Sequence, residues 1–245
     1  RLSLRCDRPR GQVILRLCDV APNGASALIS HGMLDLRHAD GHADPRDVEP
    51  GETLEIEVAL DHAAYRLPQG HRLRLAVSAG YWPFLWPEAD AFALTLTAGA
   101  LEIRIRPTAS GDEWRFQTAE AAPPRPARRL APASDGKRVE TDLATGLRRI
   151  VIEADHGEVE DLSTGLIAGS AVKEVWSIVE GDPASARVDI AWRRSLRRGG
   201  WRVATEARLS QWSEDGGVRI DGRLETFEGD APRFARDFST FAPRR

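Results

Sequence analysis

Apolar residues at every second position, cut at short intervals by Pro, Gly and Asn, constrain this chain more than any other feature. Leu54, Ile56, Val58 and Leu60 alternate with Glu55, Glu57 and Ala59. Leu73, Leu75 and Val77 repeat the period, as do Phe92, Leu94 and Leu96, then Leu101, Ile103 and Ile105. A period of two places one face in a core and the other toward solvent, the pattern of a strand. Val13 to Cys18 is almost continuously apolar, as in a strand covered on both faces. Between the runs stand Pro22-Asn23-Gly24, Glu49-Pro50-Gly51, Leu67-Pro68-Gln69-Gly70 and Ala98-Gly99, all turn chemistry. No helical stripe separates the runs to carry a parallel crossover. The expectation is therefore an all-β protein with antiparallel connections, beginning with a β-sandwich.

From Ala119 to Pro132 the apolar periodicity stops. Prolines and arginines dominate there, so 119–132 is expected to be an extended linker between domains 1–118 and 133–245. Beyond it the alternation returns at Ile150 and Ile152 and within 172–179. Two further stripes are Val188, Ile190, Trp192 and Leu196, then Trp201, Val203, Thr205, Ala207 and Leu209; another holds Val218, Ile220, Leu224 and Thr226. Arg197-Arg198-Gly199-Gly200 and Glu214-Asp215-Gly216-Gly217 read as hairpin turns, making this half an antiparallel meander. The opposite parity carries Arg187, Asp189, Arg202, Glu206, Arg208, Arg219, Asp221, Arg223 and Glu225. Cross-strand ion pairs on a solvated face are the expectation, with an anion-binding arginine face as the alternative.

Charge excludes some functions. The 34 Lys and Arg against 37 Asp and Glu leave a net −3, and the parts before and after Pro107 are both slightly acidic. Neither has the basic excess of a nucleic-acid binder. No apolar run nears the ~20 residues that span a bilayer, so no membrane partner is expected. Cys6 and Cys18 fit no metal spacing or disulfide framework and read as small buried hydrophobes, with a single bridge between them as the alternative. They leave the compartment open, the cytoplasm being the expectation for a soluble chain. Met33 is the only methionine, and Arg1-Leu2-Ser3-Leu4 already alternates like a strand. A segment of a longer protein is expected on that ground.

Catalytic and cofactor motifs are missing. Gly24-Ala25-Ser26-Ala27-Leu28 lacks the second glycine of a nucleophile elbow, and there is no P-loop, G-x-G-x-x-G, H-E-x-x-H or C-x-x-C. No cofactor and no catalytic residue is expected. His31, His38 and His42, with Asp35, Asp40 and Asp44, are the candidates for a metal site. An odd spacing between His31 and His38 would separate them across a continuous strand, and the rest fall in a polar loop. No metal is therefore expected. Tyr81-Trp82-Pro83-Phe84-Leu85-Trp86-Pro87 is the other candidate. Its prolines rule out a central strand, leaving a rigid aromatic loop. Its rings either cap the sandwich or form a docking surface for another domain or a sugar, with Tyr81, Trp82, Phe84 and Trp86 as the interface residues.

Several strings carry a resemblance. They are Arg16-Leu17-Cys18-Asp19-Val20-Ala21-Pro22-Asn23-Gly24, Gly32-Met33-Leu34-Asp35-Leu36-Arg37-His38, Glu49-Pro50-Gly51, and Ala64-Tyr65-Arg66-Leu67-Pro68-Gln69-Gly70-His71-Arg72-Leu73-Arg74-Leu75. In order and spacing, 2–107 resembles the C-terminal domain of cocaine-esterase/NonD-type hydrolases and Xaa-Pro dipeptidyl-peptidases. Residues 133–245 resemble the β-rich tail of longer NonD-type members. The resemblance implies a galactose-binding-like jelly roll that follows an α/β-hydrolase domain with a Ser-Asp-His triad. None of that domain is present, so no triad residue carries over, and neither His62 nor His71 aligns with the catalytic histidine. Peptidase-like members carry Ser-Ser-x-Phe-Pro-x-Phe-Asp-x-Asn where this chain has Ser78-Ala79-Gly80-Tyr81-Trp82-Pro83-Phe84-Leu85-Trp86-Pro87, a departure in the aromatic loop. The resemblance thus implies a non-catalytic fragment of a serine hydrolase for ester or amide bonds, partnered by its own catalytic domain. A free-standing carbohydrate-binding or interaction module is the alternative. Homo-oligomerisation is left open.

Overall fold

A computed structural model describes residues 1–107 and 114–244. The chain divides into two compact units, Arg1–Asp112 and Glu113–Arg245. Both are built from antiparallel strands, and the one helical turn among the described residues is a short 3-10 turn, Leu36–His38. No helix among the described residues is long and apolar enough to cross a membrane.

The first unit holds β1 (Leu2–Cys6), β2 (Gln12–Val20), β3 (Ser26–Asp35), β4 (Leu54–Ile56), β5 (Arg72–Ser78) and β6 (Leu94–Gly99). They form two three-stranded sheets, ordered β4-β1-β6 and β3-β2-β5. One cluster joins them: Leu2, Leu4 and Cys6 of β1 and Ile56 of β4 meet Val13 and Leu15 of β2, with Leu34, Leu75 and Val77 packed against it. That contact makes the unit a β-sandwich. Burying one such side chain is worth about 1.5–3 kcal/mol. Cys6 lies inside this core as a free thiol, as its small apolar character suggests, and burial pushes its pKa up.

At two places the structure departs from the strands that the alternation implied. In the first, β4 stops at Ile56, where its ladder with Leu2 ends. Val58 and Leu60 still pack on the core, but the chain crosses to β3, where the Asp61 amide donates to the His31 carbonyl at 2.9 Å. Gly32 permits this crossing, because a Cβ there would sit 2.3 Å from the Ala59 carbonyl oxygen. In the second, Leu101, Ile103 and Ile105 are not in a strand and are exposed. The Ala100 amide just before them donates to the Arg1 carbonyl at 2.9 Å.

The second unit is one eight-stranded sheet. Its strands are β7 (Ala127–Ala131), β8 (Ser134–Thr141), β9 (Leu147–Asp161), β10 (Leu166–Val179), β11 (Asp182–Arg198), β12 (Trp201–Glu214), β13 (Gly217–Glu228) and β14 (Ala231–Pro243). The order is β14-β13-β12-β11-β10-β9-β7, with β8 also on β9. The segment 119–132 therefore contains a strand that its composition hides. β7 needs no apolar stripe: it is held by backbone pairing and by Arg128, which donates twice to Glu160.

Candidate functional site

Alternation along β2 sends its side chains to two surfaces. Val13 and Leu15 enter the core between the sheets, whereas Gln12, Ile14 and Arg16 face outward. The aromatic loop follows β5 and folds back over this outer face. Gln12 Nε2 donates to the Trp86 carbonyl at 2.9 Å, and Ile14 between Gln12 and Arg16 is fully buried. The Arg16 guanidinium lies 5.1 Å from the Tyr81 ring centroid, a cation–π contact. The loop closes on itself through the Leu85 amide and the Tyr81 carbonyl, 2.9 Å apart.

The four rings differ in their surroundings. Trp82 and Trp86 meet edge to face with centroids 5.3 Å apart, and both are half-buried, as is Tyr81. Phe84 stands at the loop tip, 61% exposed, against Tyr81 and edge-on to His31. Met33 lies two residues along β3 from His31 on the same outer face and is itself partly exposed. Most of the loop thus belongs to the sandwich's own packing, while Phe84 stands exposed at its tip against Tyr81 and His31.

The histidines considered for a metal do not gather into one group. His31 sits on β3 beside Asp61 at 3.5 Å. His38 ends the 3-10 turn and tilts toward His42, with ring centroids 5.0 Å apart. No group of three or more His, Cys, Asp or Glu among the described residues could hold a metal ion. Asp35 is occupied as the cap of that turn, accepting from the Arg37 amide at 3.0 Å. Burial alone would raise its pKa, but bonding to Arg37 holds it below the usual carboxylate range.

A polar cluster that sequence reasoning did not single out joins two of the motif strings. Asp19, near the end of β2, is 5% exposed. Its carboxylate accepts from the Tyr65 hydroxyl at 2.6 Å and lies 2.7 Å from His71 Nδ1. The Tyr65 bond, helped by His71, holds the Asp19 carboxyl below its ordinary pKa, while Tyr65 itself is raised by the same bond. A buried carboxylate needs such donors. These three residues tie the segment before β5 to the end of β2, and their spacing in the strings was the available signal.

Residues 1–109 match the family described as the X-Pro dipeptidyl-peptidase C-terminal non-catalytic domain. No curated protein and no solved structure matches the chain.

Proposed function

We propose that this chain is the non-catalytic C-terminal portion of a serine hydrolase of the X-Pro dipeptidyl-peptidase-like group, and that its sandwich packs on the hydrolase domain and helps to wall the substrate cleft. The match of 1–109 to a non-catalytic C-terminal domain supports this reading. In that arrangement the ester or amide chemistry belongs to an α/β-hydrolase domain, and the sandwich supplies surface. The carrying observation is the aromatic loop. Three of its rings are half-buried, and Phe84 stands outward against Tyr81 and His31. A rigid aromatic anchor on a firm support is the usual centre of a protein contact.

Phe84→Ala tests the reading. At 61% exposure the change leaves the fold of the chain intact. In the polypeptide that joins the hydrolase domain to this chain, it should raise KM several-fold or loosen the two domains. Unchanged kinetics and unchanged thermal unfolding would reject the contact. Glycan-induced quenching of tryptophan fluorescence in the isolated chain would support the carbohydrate-binding alternative instead.

A further inference from the structure

Among the described residues β14 is an edge whose one partner is β13, and every residue from Ala231 to Pro243 is exposed. Its backbone groups alternate between β13 and the open side, and two hydrogen bonds give the phase. The Arg244 amide donates to the Gly216 carbonyl, which turns the even-numbered residues of β14 toward β13. The Gly229 amide donates to the Arg202 carbonyl, which turns the even residues of β13 toward β14, in agreement. Register runs unbroken from Phe234↔Thr226 to Pro243↔Gly217. Ala235, Asp237, Ser239 and Phe241 therefore direct both N–H and C=O into the open. Pro243, the next outward position, has no N–H and ends the run.

We infer that two copies of this chain pair through β14 as an antiparallel two-fold dimer centred on Phe238. Such a contact is self-complementary, so only a few registers are available. Centring on Asp237 sets two carboxylates opposite each other, and centring on Arg236 does so with two guanidinium groups. Centring on Ser239 places Pro243 opposite Ala235, where the donor is missing. With Phe238 at the axis, Ala235 meets Phe241 and Asp237 meets Ser239, each twice. All four outward residues of both copies then exchange both bonds, about eight in total. On one face Phe238 lies against its copy, Phe234 against Ala242 and Arg236 against Thr240. On the other, the Ser239 hydroxyl comes beside the Asp237 carboxylate. No like charges oppose one another.

The opposite edge offers no rival for a second copy. It is shared between β7 and β8, interrupted at Pro132, and β8 carries Asp135, Lys137, Arg138 and Glu140 within eight residues. Charges and prolines of this kind protect an edge, and β14 lacks them between its terminal prolines except at Arg233, Arg236 and Asp237.

A contact this narrow falls below a standard interface in area, so it should be read at about 100 µM protein by sedimentation velocity. The expected mass is twice the 27.0 kDa of one chain. Ser239→Pro removes one outward N–H and leaves every β13–β14 bond in place, so it should yield a monomer. Ser239→Ala removes only the hydroxyl, which donates to Asp221 at 2.7 Å, and should stay dimeric. If circular dichroism shows that Ser239→Pro fails to fold, Phe238→Lys and Phe238→Glu replace it. Each alone should be monomeric, and an equimolar mixture should regain the doubled mass. A monomeric wild type, a dimeric Ser239→Pro, a mixture that stays monomeric, or assembly beyond two copies would overturn the proposal.

Discussion

The two units use antiparallel strands in opposite ways. The first puts two small sheets face to face and buries Leu4, Val13, Ile14 and Leu36 almost completely. The second spreads strands of up to 17 residues into one sheet, where Val151, Ala186 and Val188 are the buried apolar side chains among the described residues. One face of that sheet is polar and ion-paired: Arg187 with Asp189, Arg193 with Glu206, Arg197 with Glu158, and Arg223 with both Glu225 and Asp237. The other carries Trp192, Leu196 and Leu209, each more than a third exposed. Stability in the first unit therefore comes from interdigitated side chains and a buried polar cluster. In the second it comes from ladder hydrogen bonds and neighbours across the strands.

That difference sets the scale of mutational effects. Leu4→Ala leaves a hole in a core that cannot collapse, and should cost about 3 kcal/mol. Arg187→Ala breaks a pair whose side chains are each 44% exposed, and solvent screening limits its cost to under about 1 kcal/mol. Urea unfolding of the two variants checks the contrast. Equal losses would mean that the units do not differ as described.

A smaller effect, confined to the first unit, concerns pH. The pKa of Asp19 is lower in the folded protein than in the unfolded chain. Its contribution to stability is then complete above the unfolded value of about 3.9, and is lost as pH falls through the lowered folded value. Asp19→Asn should destabilise the sandwich at neutral pH and flatten its acid-side decline in thermal unfolding temperature. Parallel pH profiles for the variant and the wild type would contradict the assignment of that carboxylate.

How much of this was legible in the sequence depended on whether the signal was local. Strands β2, β5 and β9 to β13 declare themselves by alternation or apolar runs, and the turns at Gly199 and Gly216 by composition. β7 and β14 do not. The first is charged, and in the second Phe234, Phe238 and Phe241 fall on mixed parity, because an edge strand need not present one apolar face. The ion-paired face was readable, since its charges sit at alternate positions. At the aromatic loop the residue types indicated rings but not their roles. Half-burial of Tyr81, Trp82 and Trp86 and exposure of Phe84 follow from the fold-back onto Gln12 and Arg16, a tertiary fact. Likewise Asp19 is far along the chain from Tyr65 and His71 and meets them only when β5 pairs with β2.

The central claim is that the outer face of the sandwich around Phe84 is covered by a hydrolase domain. Hydrogen exchange of residues 79–90 reads this directly, compared between the isolated chain and the polypeptide that also carries the hydrolase domain. The account predicts amides in this loop slowed by at least about tenfold in the longer protein, with β9 to β13 unchanged. Equal exchange of the loop in both would contradict it.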